Sequence, residues 1–265
     1  MLLTKTIFGR SKYIKVSDPH AQAFVIAIKT KSNPIANAVN QLCIDLKAAN
    51  LWNKMQCVYP FVDTSEFAHK FNLLDPRDSD DAFRISFGSP SGLTSHSALG
   101  FVSGNQLANT HFIPSIVQNV FSNGITIVCG THITGDVRSI GAYMSTTQAS
   151  VVSIWANPYF VSRMNGSNIV YGNTDSKGIY TAQRVSSTVS NQFRTGVKVT
   201  TSNSGGVLPT IPLYIASVNE NGLQKYPDQK RTQSTYIHEG MTDSEVVSFH
   251  TIINTFENSL SRKTW

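Results

Sequence analysis

From Phe83 onward the sequence alternates short apolar runs with turn dipeptides, and that punctuation limits the fold more than any other feature. Strand candidates fall at 83–87, 98–102, 116–121, 124–129, 137–143, 150–155, 159–163, 168–171, 178–184, 192–200, 211–217 and 234–238. Between them stand Asn123-Gly124, Gly135-Asp136, Asn165-Gly166, Asp175 to Gly178, Ser204 to Gly206 and Asn221-Gly222. Gly and Asn accept the positive φ that tight turns demand. Many short strands with this spacing predict a mainly β chain folded as an antiparallel sandwich. No alternation of strand and helix supports a parallel sheet.

Helical signals flank the strands. Asp18-Pro19 opens an amphipathic helix over 18–29, with the proline where no intrahelical N–H is needed. Asn33-Pro34 opens a second, whose Ile35, Val39, Leu42 and Leu46 recur on one face. Together they predict a helical hairpin. Trp52, Met55, Tyr59 and Phe61 follow as an apolar cluster and read as the joint between hairpin and sandwich. At the far end Thr242-Asp243-Ser244-Glu245 is a capping box ahead of Val246, Phe249, Ile253, Phe256 and Leu260. The expected organisation is an N-terminal arm and hairpin over 1–62, a sandwich over 63–240 and a helix within 241–265 packing on it.

Charge is unevenly placed. The 265 residues carry a net charge of +6 with only 14% charged residues. Residues 1–54 hold eight Lys/Arg against Asp18 and Asp45, while the rest is balanced. A basic module suits an acidic partner or a solvated face. No aromatic-interleaved basic run or helix-turn-helix pattern points to nucleic acid. Cys43, Cys57 and Cys129 stand among apolar neighbours without CxxC spacing, which predicts buried free thiols. The N-terminus lacks a signal-peptide core, and no apolar run is long enough for a membrane helix, so synthesis in the cytosol without membrane insertion is expected.

Catalytic motifs are absent. His238-Glu239 lacks the second histidine of HExxH, and neither GxSxG nor a P-loop occurs. Sandwich-fold glycosidases need paired carboxylates, yet residues 85–235 contain only Asp136, Asp175, Glu220 and Asp228. No catalytic residue, cofactor or metal site is therefore expected. Asp75, Asp78, Asp80 and Asp81 could hold calcium by composition, but Arg77 and Arg84 sit beside them. They read instead as an Asp-Pro turn and a capped helical turn at 78–82. A saccharide presents an apolar face and a hydroxyl rim, so an aromatic platform with amides and cations suits it. Trp155, Asn157 and Tyr159, with Tyr143 and Arg163 near them in sequence, form the best such group. The other reading places Trp155 and Tyr159 in the core.

The stretch LKAANLWNKMQCVYPFV followed by HKFNLLDPRDSDDAFR resembles a motif of tailed-bacteriophage and prophage virion structural proteins. The matching residues are Leu46, Lys47, Trp52, Lys54, Met55, Tyr59 to Val62, Lys70 to Leu73, Asp75 to Asp78 and Ala82 to Arg84. DPHAQAF, LPTIPLYIASVNENG and GMTDSEVVSFHTIINTFENSLSR resemble further parts of that family. The resemblance implies a concanavalin-A-like jelly roll in a virion, as a tail-fibre, baseplate or head-decoration protein. Its implied partners are other virion proteins, further copies of itself and host surface polysaccharide. A cement protein without a glycan ligand and a polysaccharide depolymerase are the alternatives. Asp63-Thr64-Ser65-Glu66 replaces a turn that is Gly-rich in the family, so the resemblance transfers no ligand preference.

Overall fold

The computed structural model describes residues 13–88, 95–104, 107–154, 159–202 and 205–265. Two helices, α1 (Pro19–Ala27) and α2 (Asn33–Ala48), lead into strand β1 (Met55–Tyr59) and the short helix α3 (Glu66–His69). Four short strands follow: β2 (Ser86–Phe87), β3 (Ser95–Ser97), β4 (Gly100–Val102) and β5 (Ala108–Asn109). After the helical turn α4 (Pro114–Val117) come β6 (Asn123–Cys129), β7 (Ile140–Ser145), β8 (Gln148–Ile154), β9 (Tyr159–Met164) and β10 (Ile169–Gly172). The chain continues through β11 (Gly178–Arg184), β12 (Ser190–Arg194), β13 (Val197–Ser202), β14 (Tyr214–Ile215), β15 (Val218–Glu220), β16 (Leu223–Lys225) and β17 (Thr232–His238). Helix α5 (Asp243–Ser259) closes it.

The strands form the expected antiparallel sandwich. The first sheet runs β13-β12-β11-β6-β17-β4-β3, with β1 also paired to β17. The second runs β10-β9-β8-β7-β14-β5-β2, and the β15-β16 hairpin joins it by a short parallel pairing of β15 with β7. Cys57, Tyr59, Phe101, Ile125, Ile127, Val152, Phe160 and Tyr180 fill the space between the sheets. Helices α1, α2 and α5 cover the other face of the first sheet, where Phe24, Leu42, Leu46, Phe249 and Ile253 meet Val58, Val128, Ile179 and Tyr236. β6, β11 and β17 are consequently buried on both faces along their whole length. Among the described residues, no helix covers the outer face of the second sheet. This asymmetry positions the site described below.

Strand β1 sorts the apolar cluster at the end of the hairpin by alternation. Met55 and Val58 join the helix-side core, with Trp52 half-buried against it, while Tyr59 and Phe61 enter the core between the sheets. The segment 1–62 thus includes a strand hydrogen-bonded into the sandwich, since Tyr59 pairs with Thr235. The C-terminal helix forms as its capping box predicts. Thr242 Oγ1 accepts from Glu245 N, and Glu245 Oε2 accepts from Thr242 N.

Several strand expectations are corrected. Residues 116–121 form no named strand: Pro114 starts a helical turn, and Ile116 and Phe121 point to solvent at 76% and 49% exposure. Their apolar character therefore reports no buried face. Asn123-Gly124 is not a turn but the start of β6. Gly124 packs so closely on the His238 ring that a Cβ would lie 2.6 Å from Nδ1. The 192–200 run is a hairpin, β12-β13, turned by Thr195 and Gly196 at φ 47° and 85°. Within 211–217 only Tyr214–Ile215 is a strand.

Candidate functional site

The uncovered face of the second sheet is concave. Alternation along β7, β8 and β9 sends Ile140, Ala142, Val152, Ile154, Phe160 and Met164 into the core. It leaves Gly141, Tyr143, Val151, Ser153, Tyr159, Val161 and Arg163 facing outward. The hairpin β15-β16 and the segment after it raise a wall on one side. The result is a groove of about 440 Å³, floored by Val151, Val161 and Val218 and bordered by Tyr143, Tyr159, Tyr226, Arg138, Arg163 and Glu220.

Register explains how the polar groups meet. Val151 lies opposite Arg163 on β9 and opposite Gly141 on β7. Glu220 on β15 lies beside Tyr143 on β7. Tyr143 therefore stands between a cation and a carboxylate. The Arg163 guanidinium lies over the Tyr143 ring, 5.4 Å from its centroid, and its Nε donates to Asn168 Oδ1 at 2.9 Å. A second tyrosine–arginine pair mirrors it: Arg138 lies 4.6 Å from the Tyr226 ring centroid and is also paired with Asp136. Gly141 has no side chain to fill the floor, and a Cβ there would meet Ser150 O at 2.9 Å.

Three of the five residues singled out for saccharide contact, Tyr143, Tyr159 and Arg163, line this one groove. Trp155 and Asn157 lie outside the described residues. Ser153, Arg138, Tyr226 and Asn168 escaped sequence reasoning. Ser153 carried a signal, since it is in phase with Val151 on β8. Tyr226 follows a hairpin, where no periodicity exists to mark it.

Other clusters resolve into structural roles. Arg77 pairs with Asp75 and Asp81, Arg84 with Asp78 and Asp80, and Lys70 with Asp78, so each carboxylate of the acidic loop already has a cationic partner within the protein. Among the described residues no group of three or more His, Cys, Asp or Glu is placed to hold a metal ion. The dispersed histidines do meet in two places. His69 and His96 bring their Nδ1 atoms within 2.9 Å, and His238 and His250 are joined through Thr126 and Thr181. No helix among the described residues is long and apolar enough to cross a membrane.

No protein-family model and no curated protein matches the chain. Solved structures do. Trypanosoma rangeli sialidase, in complex with a difluoro-KDN, aligns over 83% of this chain and 40% of its own at 8% identity and a TM-score of 0.50. Domain 4 of AbnA, a GH43 extracellular arabinanase from Geobacillus stearothermophilus solved with arabinotriose, aligns over 74% of this chain and 98% of its own. Its identity is 12% and its TM-score 0.49. The Ruminococcus gnavus IT-sialidase CBM40 bound to alpha2,3 sialyllactose aligns over 49% and 83%, at 10% identity and a TM-score of 0.40. At these identities the first likeness is one of fold, and fold alone assigns no function.

Proposed function

We propose that this chain binds a saccharide in the Tyr143–Arg163 groove, as a display module of a phage virion protein. The observation that carries the binding reading is the groove itself. Tyrosine rings, a valine floor, two guanidiniums, a carboxylate and the Asn168 amide converge on one concave sheet face. A sugar ring would rest its apolar face on Tyr143 or Tyr159 while its hydroxyls exchange hydrogen bonds with Arg163, Ser153 and Glu220. The reading is of binding without turnover. Glycoside hydrolysis commonly needs two carboxylates across the scissile bond, and Glu220 is the one carboxylate among the described lining residues.

The virion role is supported by the resemblance carried in residues 46–84 and 240–262. The groove lies on the sheet opposite to the helices, so a chain attached through its helical layer would present it outward. Two measurements test these halves separately. A glycan array should show binding that Tyr143→Ala abolishes, without release of reducing ends. Mass spectrometry of purified particles from an induced host should find the chain; its absence there would remove the virion assignment and leave the binding one standing.

A further inference from the structure

We infer that the ligand of this groove carries a carboxylate, and that Arg163 is the residue that recognises it. The inference rests on the saccharide reading and narrows it to acidic sugars such as uronic or nonulosonic acids.

The argument begins with what Arg163 lacks. Its Nε is committed to Asn168 Oδ1 and its plane lies against Tyr143, so the guanidinium is fixed in place. It makes no ion pair among the described residues, and its two Nη groups have no hydrogen-bond partner there. Arg77, Arg84, Arg138 and Lys230 each pair with a carboxylate of their own, and the buried Arg184 is held by Met164 O and Asn165 Oδ1. Among the described residues Arg163 is thus a pre-oriented fork with no counter-charge, half-buried in a groove whose floor is apolar. Two parallel N–H groups on a planar cation match the two oxygens of a carboxylate, which is the geometry in which arginine is strongest. A neutral hydroxyl would use only one of them.

The charged groups facing the groove set a direction. Arg138 holds Asp136, and Glu220 stands on the far side of Tyr143 from Arg163. A carboxylate next to Glu220 would be repelled, whereas hydroxyl or amide donors there would be satisfied. The ligand therefore lies across the Tyr143 ring, with its acidic end at Arg163 and its donor-rich end at Glu220.

The test uses the full chain on an array of neutral, carboxylated and sulfated glycans. Hits are repeated with their carboxyl groups chemically reduced, and with Arg163→Gln and Arg163→Lys. Carboxylated hits should weaken at least about tenfold on reduction, the scale of one hydrogen bond to a charged group. Arg163→Gln should weaken them equally and leave binding of the reduced glycan unchanged. Arg163→Lys should fall between, since it keeps the charge without the fork. Arg163 points out of the core, so melting temperatures of both variants should match the parent and exclude misfolding. Hits that are neutral or sulfated, or indifferent to reduction and to Arg163→Gln, would overturn the carboxylate and keep the saccharide. A wholly silent array would overturn both.

Discussion

His250 Nε2 lies 2.7 Å from Thr181 Oγ1, and this contact fixes a proton chain across the helix-covered sheet. Gly196 N donates to His250 Nδ1 at 2.5 Å, so His250 must carry its hydrogen on Nε2 and donate to Thr181. Thr181 then donates to Thr126 at 2.6 Å, Thr126 to His238 Nε2 at 2.9 Å, and His238 Nδ1 to the Glu239 carbonyl at 2.7 Å. Each link has one proton and one acceptor. An extra proton on either ring would leave two donors facing each other in a buried site.

That chain makes stability fall with acid. Burial pushes His250 down to about 3, with His238 adding to it, and His238 to about 4, with Lys54 adding to it, and burial pushes His69 to about 3. Their ordinary value is near 6.5, so the unfolded chain binds these protons first as pH drops. Stability is present above the unfolded value and is lost as pH falls from it toward the folded ones. Each histidine should cost about 1.4 kcal/mol at one pH unit below its unfolded pKa. Urea unfolding at about pH 7.5 and about pH 5.5 reads this directly. His250→Gln should flatten the profile, and a slope unchanged by it would place the effect elsewhere.

The His69–His96 pair adds to the same slope through a different geometry. His69 Nε2 faces the Asp63 carbonyl at 3.2 Å and so carries its hydrogen there, which leaves His69 Nδ1 to accept from His96. His96 Nε2 is then a buried acceptor without a hydrogen-bond partner, 3.9 Å from Glu66 Oε2. Protonation should therefore begin at His96, where Glu66 offers a counter-charge. Imidazole NMR titration should show His96 shifting at higher pH than His69, and Glu66→Gln should narrow the gap.

Arg262 anchors the chain's last residues to the joint after β1. It is buried, paired with Glu257, and donates to the carbonyls of Pro60 at 2.7 Å and Phe61 at 2.9 Å. Arg262→Ala would leave Glu257 and two carbonyls without their partner, at a cost of about 3–5 kcal/mol. Arg262→Met with Glu257→Leu should recover part of that loss, because the stranded charge is gone. Equilibrium denaturation of both variants decides it; a cost below about 1 kcal/mol for the single change would contradict the burial.

What the sequence disclosed follows the reach of each signal. The capping box at Thr242 and the apolar stripe behind it are local, and α5 forms where they place it. Asn123-Gly124 carries the same dipeptide as Asn221-Gly222. The second turns a hairpin at φ 51° and 91°, while the first lies in β6 because the ring of His238, more than a hundred residues away, needs the space. A dipeptide cannot distinguish these demands. The groove was half legible for the same reason. Tyr143 and Arg163 were singled out as neighbours in sequence of the Trp155–Tyr159 group, but the approach of Glu220 and Tyr226 depends on where the β15-β16 hairpin docks.

The three cysteines give a simple check on the two cores. All are buried and free, and burial raises each thiol, with Cys43 and Cys129 pushed up to about 12. A thiol that stays protonated is a poor nucleophile. The native protein should not react with a disulfide reagent over minutes, and three equivalents should react in denaturant. Rapid labelling of one native thiol would show that its core opens locally.

Tyr143 separates binding from folding in the groove. It is only partly buried and packs against the small outer cluster of Ala149, Val151 and Val218 rather than either main core. Tyr143→Ala should therefore cost about 1 kcal/mol of stability or less. Its ring is also the surface on which Arg163 lies, so its loss frees the guanidinium and removes the platform together. Saccharide affinity should drop at least about tenfold. Tyr143→Phe keeps ring and platform and should retain most of the affinity. Isothermal titration with a hit from the array compares the three proteins, and equal affinity for parent and Tyr143→Ala would move the ligand off this face.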